Sequence, residues 1–256
     1  MPEDGLHREV QTLASTLNDL LERLDASFER ERRITANLAH ELRTPIAELR
    51  SASDVAERWN QDVELEENLR QVAAETSRRM HRIVNGLLHM ARIESGEVQV
   101  ERIPVDLGAI VDESWQEQLH QAETRQIEIE CAAEQAILES DPALLRIVIS
   151  NLINNAVFHA DAGTKIESRL FEGEGRVRWR LANEARDLSE ADLEHLSEPF
   201  WCRDGSRARS EHVGLGLALA ERTTTLLGGQ LYYRLEDGIF VAELSIGKQC
   251  PPTSRR

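Results

Sequence analysis

The sequence predicts a chain in two parts: an α-helical hairpin that pairs into a dimeric four-helix bundle, followed by an α/β domain. Three observations carry that expectation. Residues 1–95 hold few glycines and only two prolines, Pro2 and Pro45, and their apolar residues recur at helical spacing. Beyond Gly96 and Pro104 the texture turns mixed, with β-branched alternation between helical patterns. The dipeptide Asp237-Gly238 separates two strand-like runs, as a tight hairpin requires.

In the first helix Val10, Leu13, Leu17, Leu20 and Leu24 recur at alternating steps of three and four. That 3.5-residue period keeps one stripe turned toward a partner helix and reads as a coiled-coil seam. Packing against its own domain is the alternative. The charged run Glu29 to Arg33 interrupts the seam, and a new stripe starts at Ile34, Leu38, Leu42, Ile46 and Leu49. After a polar break at Asn60–Asp62, a further stripe comprises Leu65, Leu69, Val72, Thr76, Ile83, Leu87 and Met90. Two helices joined by a short turn form an antiparallel hairpin. Stripes too wide to be covered within one hairpin call for a second copy. In the later part, helices are expected over 107–121, 142–158 and 215–227. Strands are expected over 126–131, 165–171, 176–183, 230–235 and 239–246.

The chain has 256 residues, and 30 Lys and Arg against 46 Asp and Glu leave a formal net charge of −16. Such a balance argues against a sequence-independent nucleic-acid binder, whose affinity comes from neutralising phosphates. No apolar run approaches the ~18 residues of a membrane span, and the polar N-terminus is not a signal peptide. A soluble, cytoplasmic chain is therefore expected. Cys131, Cys202 and Cys250 are far apart and form no CxxC, which excludes a disulfide framework and a cysteine-rich zinc site.

Three segments carry chemistry. His40 and Glu41 lie off the stripe of Leu38, Leu42, Ile46 and Leu49, so they project from the side of the bundle. Pro45 removes a backbone hydrogen bond and crowds the carbonyl of Glu41, which predicts a bend just after His40 that exposes the ring. An exposed imidazole beside a carboxylate suits nucleophilic catalysis: the acid orients the ring and accepts a proton from one nitrogen while the other attacks. A solvated surface pair is the plain alternative. Asn151 and Asn155, four residues apart, share one helix face. Their carboxamide oxygens suit Mg²⁺, a hard cation that keeps waters and phosphates in its other positions, or else hydrogen bonds within a core. Gly214 and Gly216 open a helix, where glycine lets backbone approach a phosphate and free amides face it. Neither the P-loop nor the Rossmann fingerprint is present.

In order and spacing these segments resemble the boxes of a bacterial sensor histidine kinase of the two-component type. His40 to Pro45 is similar to the H-box, Asn151 to Ala156 to the N-box, Glu198-Pro199-Phe200 to the F-box, and Gly214 to Gly216 to the second glycine box. The resemblance implies a signal-relay helix over 1–33, the end of a HAMP segment, and a dimerisation and phosphotransfer domain over 34–97. It implies an ATP-binding domain of the GHKL (Bergerat) type over 104–250, a mixed sheet covered on one face by helices. It further implies His40 as phosphoacceptor, Glu41 as its general base, and Thr44 as the residue that helps place a water for dephosphorylating the partner. Asn155 would bind Mg²⁺, with Asn151 assisting. The cofactors implied are ATP and Mg²⁺. The implied partners are a second copy of the chain, a cognate response regulator and an upstream membrane sensor, with no nucleic acid; the full-length protein would lie at the cytoplasmic side of the inner membrane.

The chain departs from the family pattern in places. Asn183 stands where the first glycine box carries an adenine-binding Asp, and Ala185 and Asp187 stand where its glycines are expected. Asn183 still offers a carbonyl acceptor, though a neutral one. Phe158 and His159 replace a basic residue and a tyrosine. Cys202 takes the position of an arginine after Phe200-Trp201, leaving Arg203 and Arg207 to reach the γ-phosphate. These departures motivate the alternative of a dimeric signalling scaffold or regulator phosphatase whose nucleotide site is degenerate.

Overall fold

The computed structural model describes residues 3–58, 63–132, 135–202 and 213–248. The chain divides into two compact units, 1–80 and 81–256.

The first unit is helical. Helix α1 runs unbroken over Glu3–Arg58 and α2 over Val63–Glu94, the division between units falling inside α2. Glu41 stands seventeen residues before Arg58 and Arg79 sixteen after Val63, and the two side chains pair, which is the register of an antiparallel hairpin. The seam residues Leu17, Leu20 and Leu24, together with Ile46 and Val72, remain exposed in the single chain. The helix passes 33–34 and Pro45 as one element, with His40 exposed on its surface.

The second unit begins with the last turns of α2, where Ile83 and Met90 are buried and Glu94 pairs with Arg222. Its sheet comprises β2 (Glu128–Ala132), β4 (Lys165–Gly173), β5 (Arg176–Glu184), β6 (Gln230–Glu236) and β7 (Ile239–Gly247). The strand order is β2-β4-β5-β7-β6; β2 and β4 are parallel and the other pairs antiparallel. A separate antiparallel ribbon pairs β1 (Ile103–Asp106) with β3 (Ile137–Ser140). Helices α3 (Leu107–Thr124), α4 (Pro142–His159) and α6 (Gly216–Leu226) complete the unit with the short α5 (Glu190–Leu193).

Alternation places the layers. Val177, Trp179 and Leu181 of β5 and Phe240, Ala242, Leu244 and Ile246 of β7 form one core with Leu145, Val148, Ile149, Leu152 and Ile153 of α4. The buried Trp179 indole donates to Ser168 Oγ at 2.9 Å, so its polar atom is satisfied inside the core. The opposite sheet face is charged: Arg180 pairs with Glu167 and Glu236, and Arg234 with Glu243. One apolar and one charged face is the pattern of a largely antiparallel sheet covered on a single side. Asp237 (φ 49) and Gly238 (φ 80) form the turn between β6 and β7, both residues in the left-handed region that a tight hairpin favours.

The five expected strands and three expected helices are all present, each boundary within three residues of the expected one. The β1–β3 ribbon and α5 are additions to the sequence reading. Each of these elements is only four residues long, too short to show a period.

Candidate functional site

His40, Glu41 and Thr44 stand in the first unit, and the nucleotide-side residues in the second. On α1, His40 and Thr44 are exposed and one helical turn apart, hence on the same face. Glu41 is half-buried, and its Oε2 accepts a hydrogen bond from Arg79 Nη2 of α2 at 3.1 Å. Arg79 escaped the sequence reading because its partner lies 38 residues away on another helix. Local spacing offers it Glu75 instead, which accepts a bond from Gln71 at 2.9 Å.

In the second unit α4 is the organising element. Asp141 caps it, accepting from the amides of Ala143 and Leu144 at 3.0 and 3.1 Å, and Pro142 occupies the first helical position, where no amide is needed. At the other end Arg125 donates to the carbonyls of Val157, Phe158 and Ala160, the last two at 2.6 and 2.8 Å. A cation on these carbonyls satisfies groups the helix leaves orphaned and opposes its dipole. Arg125 is a second residue that sequence alone did not mark.

One face of α4 is apolar and buried, which leaves Asn151 and Asn155 half-buried on the other side. The Asn151 amide donates to Ile147 O at 2.7 Å, and its Oδ1 lies 3.1 Å from where a Cβ on Gly216 would stand. The structure thus brings the N-box asparagine against the second glycine box. Leu215, at the N-cap of α6, makes no side-chain cap hydrogen bond.

Gly214 and Phe200 also meet. The Phe200 amide donates to Gly214 O at 2.9 Å, and both residues have positive φ, 65° and 68°. A Cβ on Gly214 would lie 2.5 Å from Trp201 O, so glycine is required there for space as well as conformation. Phe200 is buried and holds a left-handed backbone at a cost that its surroundings must offset. Arg203 and Arg207 lie outside the described residues.

Asn183, near the end of β5, is 3% exposed and shares the parity of Val177, Trp179 and Leu181, so it belongs to the helix-facing side of the sheet. Its amide donates to Glu184 O at 2.9 Å. Neither Ala185 nor Asp187 has a positive φ, so the strand end runs without glycine: the Ala185 amide bonds Gly238 O at 2.8 Å and its carbonyl accepts from Leu188 at 3.0 Å. Among the described residues no cluster of three or more His, Cys, Asp or Glu could hold a metal. The half-buried Asn155 carboxamide offers one hard oxygen, a donor type compatible with Mg²⁺ bound mainly through phosphates and water. No helix among the described residues is long and apolar enough to cross a membrane.

Residues 30–96 match the description "His Kinase A (phospho-acceptor) domain", and residues 140–248 match "Histidine kinase-, DNA gyrase B-, and HSP90-like ATPase". The chain carries the phospho-acceptor and ATPase domains of the histidine kinases. It is 32% identical over 238 residues to the sensor protein CutS of Streptomyces coelicolor, across 92% of this chain and 57% of that protein. It spans about half the length of the sensor proteins it matches. Its fold is shared with the Acinetobacter baumannii histidine kinase AdeS, at 21% identity and a TM-score of 0.65, over 82% of this chain and 98% of that one. It is likewise shared with histidine kinase ThkA, solved in complex with response regulator TrrA, at 22% identity and a TM-score of 0.66, over 88% and 65%. His40 falls inside the phospho-acceptor match; Asn151, Asn155, Asn183, Phe200, Gly214 and Gly216 fall inside the ATPase match.

Proposed function

We propose that this chain transfers the γ-phosphoryl group of ATP to His40 and then to an aspartate of a response regulator. The observation that carries the reading is the occurrence, in one chain, of an exposed His40 beside Glu41 in a phospho-acceptor region and an ATPase fold in which Asn151 meets Gly216. In the step itself one ring nitrogen of His40 forms the N–P bond as the bond from phosphorus to the ADP oxygen breaks. The electron pair leaves with ADP, and the proton of the other ring nitrogen passes to Glu41. Phosphoryl transfer of this kind is mostly positioning and charge stabilisation.

Asn155 is the residue that would hold Mg²⁺, with Asn151 assisting; when bound, the cation neutralises charge on the phosphates. Asn183 presents its carbonyl oxygen to the adenine amino group. The α6 amides, with Gly214 and Gly216, receive the phosphates, and Arg203 and Arg207 complete the charge balance. Thr44, one turn beyond His40, places the water that dephosphorylates the regulator. The domain limits of this reading are 1–33 for the relay helix, 34–97 for phosphotransfer and 104–250 for ATP binding. The exposed seam of Leu17, Leu20, Leu24, Ile46 and Val72 supports dimerisation through the helical part. The complex of the fold relative ThkA with a response regulator supports the partner class.

Incubation with γ-labelled ATP and Mg²⁺ tests the reading. The label should be acid-labile, base-stable, mapped to His40 and absent from His40→Gln; labelling of that variant would remove His40 from the mechanism. One observation favours the second reading, a scaffold with a weak nucleotide site: the neutral, buried Asn183 spends its amide on Glu184. Titration separates the two, since saturation at micromolar Mg-ATP fits the kinase and none at millimolar ATP fits the scaffold.

A further inference from the structure

The pairing of Glu41 with Arg79 leads beyond that assignment of roles, though it rests on His40 being the phosphoacceptor. The geometry points to Arg79 as a positioning residue for the phosphoryl-transfer step: from across the hairpin it anchors one oxygen of Glu41, so that the other is presented to the ring of His40.

Several observations converge. Arg79 Nη2 donates to Glu41 Oε2 at 3.1 Å, and the two side chains retain only 17% and 23% of their exposure. An ion pair in water is held loosely, whereas one this sheltered keeps its geometry. The carboxylate one turn before Arg79, Glu75, is already bonded to Gln71, so Arg79 reaches past its local partner to the neighbouring helix. Arg79 Nε is buried and has no hydrogen-bond partner among the described residues. An arginine placed only to stabilise the hairpin would be expected to satisfy its whole fork, because an unmade buried bond is costly. Only Oε2 of Glu41 is engaged; its Oε1 accepts no hydrogen bond from a described residue.

The chemistry follows from the arrangement. Glu41 is adjacent to His40 in the helix, and without an anchor its flexible side chain would sample many rotamers. Fixing one oxygen from α2 removes that freedom before reaction and leaves the second to take the ring proton, the logic by which an outer group orients a catalytic one. Arg79 itself touches neither nucleotide nor imidazole in this scheme and acts through Glu41.

The test uses the full chain with γ-labelled ATP and Mg²⁺, comparing wild type, Arg79→Met, Arg79→Lys, Glu41→Gln and the double variant Glu41→Gln/Arg79→Met. Arg79→Met should slow labelling of His40 on the order of tenfold, a fraction of what a general base supplies, with the KM for ATP unchanged. Arg79→Lys keeps one donor and should recover part of the rate. The double variant should be no slower than Glu41→Gln alone, because residues acting as a unit are not additive. A wild-type rate in Arg79→Met, a changed KM, or losses that multiply in the double variant would each overturn the inference while leaving His40 as phosphoacceptor. Absence of label on wild-type His40 would instead defeat the underlying reading and the inference with it. Should Arg79→Met melt early, Arg79→Lys decides alone: a rate equal to wild type refutes the role of the planar fork, and a reduced rate at unchanged KM supports it.

Discussion

The carboxamide oxygen of Asn151 lies 3.1 Å from the point that a Cβ on Gly216 would occupy. That contact joins the two sequence segments expected to share the nucleotide, and it does so without slack. The Asn151 amide is tied to Ile147 O at 2.7 Å, so the side chain cannot swing aside without losing a hydrogen bond.

Gly216→Ala should therefore weaken Mg-ATP binding on the order of tenfold, equivalent to ~1.4 kcal/mol, while barely changing the melting temperature. Alanine in a helix is favoured over glycine by ~1 kcal/mol, which offsets the crowding in stability but not in ligand affinity. Calorimetric titration beside a thermal melt checks both halves. An unchanged Kd would detach Asn151 from the nucleotide.

Gly214→Ala should behave in the opposite way. Its φ of 68° and the 2.5 Å approach of Trp201 O leave no room for a methyl group against backbone. A loss of about 2 kcal/mol or more in unfolding free energy is expected. Urea denaturation measures it, and a stability equal to wild type would show that this turn relaxes freely.

Removing the clamp on α4 should also destabilise. Arg125→Met gives up charge-assisted bonds to Val157, Phe158 and Ala160 and leaves carbonyls at the helix end unpaired. A cost of about 2–3 kcal/mol follows. Because α4 carries Asn151 and Asn155, ATP affinity should fall along with stability. Intact affinity at lowered stability would mean that the helix keeps its shape without the clamp.

His89 gives a pH dependence with a definite sign. Burial, and secondarily the nearby Arg92 charge, hold its imidazole below the ordinary value, and its Nε2 is buried with no partner among the described residues. As pH falls below about 6.5 the unfolded chain takes up a proton that the folded chain resists, so the His89 contribution to stability is present above that pH and lost beneath it. The drop in urea midpoint between pH 7.5 and pH 5.5 should be smaller in His89→Gln than in wild type. Equal drops would show that the ring titrates alike in both states.

Much of this was legible in the sequence because its signals are local. The Asp237-Gly238 turn, the Asp141-Pro142 helix start and the apolar face of α4 each announce themselves within a few residues. His40 read as exposed and is exposed. What stayed hidden depends on partners distant in sequence. Arg79 finds Glu41, and Arg125 finds the end of α4, across separations of 38 and 32 to 35 residues. Phe200 was singled out as an F-box residue, but its positive φ and its bond to the Gly214 carbonyl, a partner distant in sequence, were not. Ala185 and Asp187 looked too restrictive for their positions, yet that strand end needs no left-handed residue.

Pinned by Asp141 at its start and Arg125 at its finish, α4 is a ruler of fixed length. The two carboxamides it carries are spaced before any ligand arrives, so little ordering entropy remains to be spent at Asn151 and Asn155. Slow amide hydrogen exchange along this helix should then be a property of the empty protein as much as of the occupied one, and differences between the two states belong to other segments.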